Sequence, residues 1–513
     1  MGAFEEFEEY VGEINDLLCV GCVLIWDFRT QMPSGGALTR GCQLATINRL
    51  VHERIVSDNM RRRLERAESE VVGEDPDSYR VRSVRHARHG YEMARRIPSG
   101  IIGDIGDCKV VAQQAWAEAR EHNDFDQFAP HLERMVSLNR DLADAIGYSE
   151  HPYDAMLALY VPEMTTSSLL DLLAELKAGV LPLLERIEHS DTRIPDEFLS
   201  QEYPVDRQRA FGMDIARRFG YDLERGRLDE SPHPFMISFT RQDVRITTRY
   251  DLRRPQSAIF GILHETGHAL YEQGLDPTLT RGALACDFVR PYAINGTSIS
   301  LQESQSRLWE TLVGRSRSFW QCHFSRLADY FPGQLRGVEW EDFYRATNQV
   351  ESSPVRLGAD EIAYNLHILL RVEIEVALME GSLEVAELPE AWNAKTKEYL
   401  GITPATDSEG VLQDMHWSTG YFGSFPTYSL GNVMAAQFFE AAHRSVPGLD
   451  DALAVGDYRP LLSWLTENIY RHGHAYSATE LLQRTTGAGL QTRPYLTYLE
   501  KKYDEIYACG GRS

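Results

Sequence analysis

The sequence predicts a mainly α-helical protein that forms one large body with a small β-sheet, and three observations lead to this prediction. Apolar residues recur at helical spacing through most of the 513 residues. The apolar–polar alternation of a half-buried strand is strongest in a single segment, 241–250. No polar linker long enough to separate independent domains occurs. We therefore expect one domain, 1–513, with an N-terminal helical wall (1–200), a core (201–440) and C-terminal helices (441–513).

The helical periodicity divides into segments at turn signals rich in Pro, Gly and Ser, such as 32–36 and 98–100. The predicted helices are 1–23, 37–70, 76–96, 110–147, 165–190, 205–220, about 298–330, 340–350, 358–381, 388–400 and several from 429 to the end.

The predicted strand has two unlike faces. Val244 and Ile246 fall on one face, and Asp243, Arg245 and Thr247 fall on the other. A polar face just before a helix that carries reactive side chains is typical of a cleft wall. Taken by itself, the same pattern indicates a solvated edge strand.

Charge, cysteine content and the absence of targeting signals argue against nucleic-acid partners, disulfides and membrane insertion. The net charge of -24, from 52 basic and 76 acidic residues, disfavours binding to nucleic acid. Seven scattered cysteines, Cys19 and Cys22 among them, are typical of reduced thiols. The acidic N-terminus lacks the basic region of a signal peptide, and the apolar run 17–26 is too short to span a bilayer. We expect a cytoplasmic protein with neither nucleic-acid nor membrane partners.

The clearest chemical signal is the segment His264-Glu265-Thr266-Gly267-His268. A predicted helix carries it from Pro255 to Gln273 and ends before Gly274. Histidines four residues apart on a helix point the same way and can share one metal ion. Glu265 lies beside them, where it can take a proton from a metal-activated water without ligating the metal.

A catalytic zinc needs a third protein ligand, and the next predicted helix offers Glu303 and Glu310. Glu303 lies among small and amide side chains, so we select it as the third ligand. The alternative is a surface carboxylate paired with Arg307 four residues on.

These segments, H-E-T-G-H-A-L-Y-E-Q-G and E-S-Q-S-R-L-W-E, resemble the carboxypeptidase Taq family of thermostable metallocarboxypeptidases. Further motifs match that family in the same order: His233-Pro234-Phe235, Asp243–Thr247 (D-x-R-x-T), Val355–Asp360 ([IV]-R-x-x-A-D) and Gly410–Trp417 (G-x-x-Q-D-x-H-W). Two positions depart from the family pattern, since Gln302 stands where His is usual and Ser424 where Tyr is usual.

The resemblance implies a zincin-like or gluzincin-like helical fold with a deep substrate groove and the metal at its floor. It implies a homodimer that uses Zn²⁺, or Co²⁺, to remove single residues from peptides with a free C-terminus. By position, His264, His268 and Glu303 would be metal ligands and Glu265 the general base.

The resemblance also implies substrate-binding residues. Arg356 is the candidate for the terminal carboxylate, because a guanidinium offers a bidentate fork, but an ion pair with Asp360 fits its position equally well. His416 is the candidate for the substrate or the developing oxyanion, although by itself it would be a core histidine. Arg245, with Asp243 on the same strand, is the second candidate for the carboxylate.

Two other functions stay open on sequence grounds. The same metal helix could serve an oligopeptidase or aminopeptidase, which a peptide with a blocked C-terminus would distinguish. A non-catalytic peptide-binding relative is the other alternative, and the complete set of metal and base residues argues against it.

Overall fold

The computed structural model describes residues 2–285, 287–288 and 298–507. Its helices are α1 (Ala3–Thr30), α2 (Ala37–Ile55), α3 (Asp58–Glu70), α4 (Tyr79–Arg96), α5 (Ser99–His122), α6 (Phe125–Ile146), α7 (Pro152–Ala158), α8 (Thr166–Glu188), α9 (Val205–Phe219), α10 (Pro255–Gln273), α11 (Ile299–Arg307), α12 (Arg317–Tyr330), α13 (Trp340–Thr347), α14 (Ala363–Glu380), α15 (Leu388–Leu400), α16 (Pro426–Ser445), α17 (Leu449–Ala454), α18 (Arg459–Asn468), α19 (Ala478–Thr486) and α20 (Arg493–Tyr507). Its strands are β1 (Gly226–Glu230), β2 (Met236–Thr240) and β3 (Asp243–Thr248). The mainly helical class is confirmed.

Three predicted helices, 37–70, 110–147 and about 298–330, are interrupted in the structure, and local capping explains the first two breaks. Ser57 separates α2 from α3, and its hydroxyl accepts the backbone N–H of Met60 at 3.0 Å. Asn123 ends α5 in a left-handed conformation with φ 56°, and Asp124 then caps α6. Helical periodicity continues across both breaks, so it could not reveal them.

The small sheet has the order β1-β3-β2, and the predicted strand β3 is its centre. β3 pairs in parallel with β1 and antiparallel with β2. Val244 and Ile246 are fully buried, as their alternation predicts. Asp243 and Arg245 are half-buried on the opposite face, but Thr247 is buried, and its hydroxyl accepts the backbone N–H of Phe235 at 2.9 Å.

Helix α10 packs against α9, α11 and β3, and its apolar residues Ile259, Ile262 and Leu263 are buried. Gly267 faces α11 so closely that a Cβ there would lie 2.6 Å from the carbonyl oxygen of Gln305. The two helices therefore approach backbone to backbone. A π-helical turn, Leu308–Gly314, directly follows α11.

The chain folds into two compact units, each built from separate stretches of sequence. Unit 1 comprises Met1–Arg95, Ile194–Thr347 and Gly431–Gln491, and unit 2 comprises Arg96–Arg193, Asn348–Leu430 and Thr492–Ser513. The sheet, α10 and α11 belong to unit 1. The motifs at 355–360 and 410–417 belong to unit 2. The division of a single domain at residues 200 and 440 stays a prediction.

The described residues also bear on membrane-spanning helices and on the cysteines. None of the described helices is long and apolar enough to cross a membrane. The five cysteines in the described part of the chain form no disulfide: Cys19, Cys22, Cys42, Cys108 and Cys322. Cys286 and Cys509 lie outside the described residues.

Candidate metal centre

The structure brings His264, His268 and Glu303 together at the crossing of α10 and α11. Oε2 of Glu303 lies 3.8 Å from Nε2 of His264 and 3.7 Å from Nε2 of His268. One donor atom from each residue fits within 4.8 Å of the others. Among the described residues, this is the one group of three or more His, Cys, Asp or Glu side chains with such spacing.

The donor set fits a divalent metal. Bonds of about 2.0–2.1 Å at tetrahedral angles place ligand atoms about 3.3–3.4 Å apart, a few tenths of an ångström less than the His–Glu separations here. Two imidazoles and one carboxylate are a ligand set of catalytic zinc sites, which keep a fourth position open.

Each of these side chains has its other polar atom held by a separate partner. Oε1 of Glu303 accepts from Nε of Arg307 at 2.8 Å, which leaves Oε2 towards the imidazoles. The ion pair with Arg307 that the sequence offered as an alternative to metal ligation therefore coexists with this orientation. Glu303 is buried, not on a helix surface.

His264 is oriented by Glu310, a residue in the π-helical turn. Nδ1 of His264 lies 3.0 Å from Oε2 of Glu310, so Nε2 faces Glu303. Arg315 donates to Oε1 of Glu310 at 3.1 Å and to the carbonyl oxygen of Thr347 at 3.0 Å. Carboxylate partners of this kind fix the tautomer and ring orientation of metal-binding histidines.

His268 has a different support. Its Nδ1 lies 3.2 Å from Oε1 of Gln302, the residue just before Glu303. Gln302, which stands where the family pattern usually has His, therefore contacts the candidate metal ligand His268.

The ionisation of the two imidazoles and Glu303 follows from burial and charge. Burial lowers the pKa of His264, but attraction to Glu303 and the hydrogen bond with Glu310 outweigh it, so that pKa is raised. Burial and repulsion from His264 lower the pKa of His268 to about 4. Burial raises the pKa of Glu303, but the charges of His264 and Arg307 outweigh it, and the pKa falls below its usual range. A metal binds neutral imidazoles and an ionised carboxylate, so its binding here would displace the proton that these charges favour on His264.

Glu265 lies next to this cluster on α10 and is buried. Burial raises the pKa of Glu265 to about 7, although the charge of His264 opposes the shift. The backbone N–H of Met236 on β2 also interacts with the carboxylate and favours its ionised form. A carboxyl group with a pKa near neutrality can both accept and return a proton.

Unit 2 contains a second charged cluster, centred on Arg356. The Nη2 atom of Arg356 donates to Oδ1 of Asp414 at 2.7 Å, and Nη1 donates to the Tyr364 hydroxyl at 3.0 Å. Nε of Arg371 donates to Oδ2 of Asp414 at 2.7 Å. The partner of Arg356 is thus Asp414 and not Asp360, whose carboxylate accepts the backbone N–H groups of 362 and 363.

His416 lies in the same cluster. Its Nδ1 is 3.9 Å from Oδ1 of Asp414, its Nε2 is 3.3 Å from the Tyr428 hydroxyl, and its ring packs on Phe425 with centroids 4.4 Å apart. Ser424, where the family pattern usually has Tyr, uses its hydroxyl to donate to the carbonyl oxygen of Tyr421 at 2.7 Å.

Arg245 and Asp243 form a bidentate pair on β3 in unit 1. Nε and Nη2 of Arg245 each donate to one oxygen of Asp243 at 2.8 Å. The guanidinium lies over the rings of Trp26 and Phe239 at 4.6 and 4.7 Å. The charge of Arg245 is therefore already balanced by Asp243.

Sequence reasoning considered Glu310 only as an alternative third ligand, and it gave no role to Arg371 or Asp414. Glu310 is seven residues after Glu303, which is two helical turns, and this spacing could have placed it on the same face. Asp414 lies inside the G-x-x-Q-D-x-H-W motif but was given no role. Arg371 sits in the apolar helix α14, where a buried charge itself indicates a buried partner.

A helical fold that sets two histidines of an H-E-x-x-H helix against a glutamate of a following helix is typical of one class of metallopeptidases. The family comparison identifies the chain within that class. Residues 6–503 match the carboxypeptidase Taq (M32) metallopeptidase family, and the chain belongs to this family. It is accordingly a metal-dependent carboxypeptidase, a hydrolase of peptide bonds.

Its relatives cover nearly the whole chain. It is 41% identical to thermostable carboxypeptidase 1 of Thermus thermophilus, over 98% of this chain and 99% of that protein. It is 35% identical to carboxypeptidase 1 of Bacillus subtilis, over 98% of each. The crystal structure of the M32 carboxypeptidase from Deinococcus radiodurans matches with a TM-score of 0.93, 38% identity and 99% coverage of both chains.

Proposed function

We propose that His264, His268 and Glu303 hold one Zn²⁺ ion, or Co²⁺ in its place, and that Glu265 is the general base of the carboxypeptidase reaction. The observation that carries this proposal is the convergence of two Nε2 atoms and one carboxylate oxygen, while their other polar atoms are bound elsewhere.

When bound, the divalent cation would polarise the scissile carbonyl and lower the pKa of the attacking water. Glu265 accepts a proton from that water and returns it to the leaving amine. Burial of Glu265 excludes bulk water from these transfers. Glu310, Arg307 and Arg315 fix His264 and Glu303, so these side chains need no rearrangement as the reaction proceeds.

Arg356 is our candidate for the terminal carboxylate of the substrate, and the charge of its cluster supports this. Arg356 and Arg371 share the one carboxylate of Asp414, so this trio carries an excess positive charge in a buried setting. An anion that enters such a setting compensates the excess. Asp414 also fixes the Arg356 guanidinium in one orientation, which lowers the entropic cost of binding.

His416, Arg245 and Asp243 complete the proposed substrate contacts. His416 shares Asp414 with Arg356 and is proposed to contact the substrate or its oxyanion. Arg245 is balanced by Asp243, so we propose that this half-buried pair contacts the peptide and does not bind the carboxylate. Homodimerisation, by family resemblance, and a cytoplasmic location are also part of the proposal. The substrates are peptides with a free C-terminus.

The experiment is incubation of the zinc-loaded protein with an unblocked peptide and with the same peptide as its C-terminal amide. We expect product masses that fall by one C-terminal residue at a time for the free peptide, and no change for the amide, because the amide lacks the charge that Arg356 would bind. Shortening from the N-terminus, internal cleavage, or equal turnover of the amide would overturn the proposal.

A further inference from the structure

We propose that Gln302 and Glu272 form a hydrogen-bond relay that positions His268 for metal binding, an inference that rests on the proposed ligand set. Oε1 of Gln302 lies 3.2 Å from Nδ1 of His268, and Nε2 of Gln302 donates to Oε1 of Glu272. Gln302 and Glu272 are 2% and 1% exposed, so water does not compete for these bonds.

The chemistry of the three groups gives the relay one direction. The NH₂ group of the Gln302 amide donates to Oε1 of Glu272. The amide oxygen must then face His268 and can only accept from it. Nδ1 of His268 therefore carries the proton, and the lone pair of Nε2 faces Oε2 of Glu303 at 3.7 Å.

The two helices of the site supply this relay through their regular spacing. Glu272 follows His268 by one turn of α10, so both point to the same side of that helix. Gln302 precedes Glu303 on α11, so one short stretch provides both a ligand and the support of another ligand. The close approach at Gly267 brings the two helices within reach of these bonds.

The relay differs from the support of His264 in charge. His264 is in direct contact with the carboxylate of Glu310, whereas His268 contacts a neutral amide, and the carboxylate of Glu272 lies one group further away. The relay thus orients His268 without placing a second negative charge against the ring. Gln302 and Glu272 are therefore positioning residues. They act through His268, and neither belongs to the group of side chains that could hold the metal.

The test is the affinity for Zn²⁺, measured by competition with a chromogenic chelator, together with the visible absorption spectrum of the Co²⁺-loaded protein. Gln302→Met keeps the size of the side chain and removes both hydrogen bonds. We expect zinc affinity to fall by about 10–100-fold and the Co²⁺ bands to shift, because His268 loses its fixed orientation. In Glu272→Gln, the new side chain can accept or donate, so it no longer fixes which end of the Gln302 amide faces His268. The zinc affinity of this variant should therefore lie between those of Gln302→Met and the wild type.

Two further variants make the result specific. Gln302→His offers one acceptor and one donor nitrogen, so it can rebuild the relay and should restore zinc affinity to within about threefold of the wild type. Gln437→Met is the matched control, since Gln437 is also 2% exposed, and its amide bonds backbone groups of 489 and 491. This variant should bind zinc as the wild type does.

The outcomes separate this inference from the proposed ligand set. If His268→Ala binds zinc as tightly as the wild type, the ligand set itself is wrong. If His268→Ala weakens binding but Gln302→Met does not, the ligand set stands and the relay is overturned. Equal losses in Gln302→Met and Gln437→Met, or no recovery in Gln302→His, would also overturn the relay.

Discussion

At the scale of single residues, function depends on which atom of each side chain is already engaged. Glu303 gives Oε1 to Arg307 and keeps Oε2 for the cluster, and each imidazole gives Nδ1 to a partner and keeps Nε2. The sequence could predict the histidine pair from spacing and Glu303 from its small neighbours. It could not predict which imidazole nitrogen is engaged, because Glu310 and Gln302 lie on other elements than the two histidines.

Glu265 is the residue whose role is most directly testable. Glu265→Gln keeps the size of the side chain but cannot take a proton, so we expect kcat to fall by about 10²–10⁴-fold with zinc affinity unchanged. Steady-state hydrolysis of an unblocked peptide and metal titration measure the two effects. Glu341→Gln, at the exposed pair with Arg317, is the control and should keep wild-type turnover. Full turnover by Glu265→Gln would refute the assignment.

At the scale of elements, the site depends on two contacts that periodicity does not encode. The first is the backbone-to-backbone crossing of α10 and α11 at Gly267. The second is the π-helical turn after α11, which places Glu310 against His264. The sequence predicts a single helix over about 298–330, but the structure has α11, the π-helical turn and α12 in this stretch. Ser316 caps the start of α12, because its hydroxyl accepts the backbone N–H of Phe319.

The crossing of α10 and α11 can be tested at Gly267 without changing any polar side chain. In Gly267→Ala, the added Cβ would lie 2.6 Å from the oxygen of Gln305 and 2.7 Å from Cα of Ser306, both backbone atoms that cannot turn away. We expect a loss of about 1–3 kcal/mol in the free energy of unfolding, measured by urea denaturation, because the helices must separate. Zinc affinity should fall as well, since His268 moves away from Glu303.

Gly261→Ala is the matched control on the same helix. Its Cβ would meet the Thr248 hydroxyl at 3.4 Å, close to an ordinary contact, and φ is not positive there. Gly261→Ala should keep zinc affinity, because it leaves the crossing with α11 unchanged. Equal loss of affinity in the two variants would show that the crossing does not set the site.

At the scale of the whole molecule, the mainly helical class was predictable and the division into units was not. Helical periodicity and one alternating segment were sufficient for the class. Each unit, however, joins three stretches that are distant in sequence, such as Met1–Arg95 with Gly431–Gln491. Local patterns report which face of a helix is apolar but not which distant segment covers it. Periodicity and spacing alone could not establish the carboxypeptidase activity. The family match over residues 6–503 establishes it.

The central claim is that two imidazoles of α10 and one carboxylate of α11 hold the catalytic metal. Anomalous diffraction at the zinc edge, from crystals grown with one equivalent of Zn²⁺, tests it most directly. We expect one strong peak within about 2.0–2.2 Å of Nε2 of His264, Nε2 of His268 and a carboxylate oxygen of Glu303. A peak at other side chains, or active crystals with Glu303 turned away from the metal, would contradict the account.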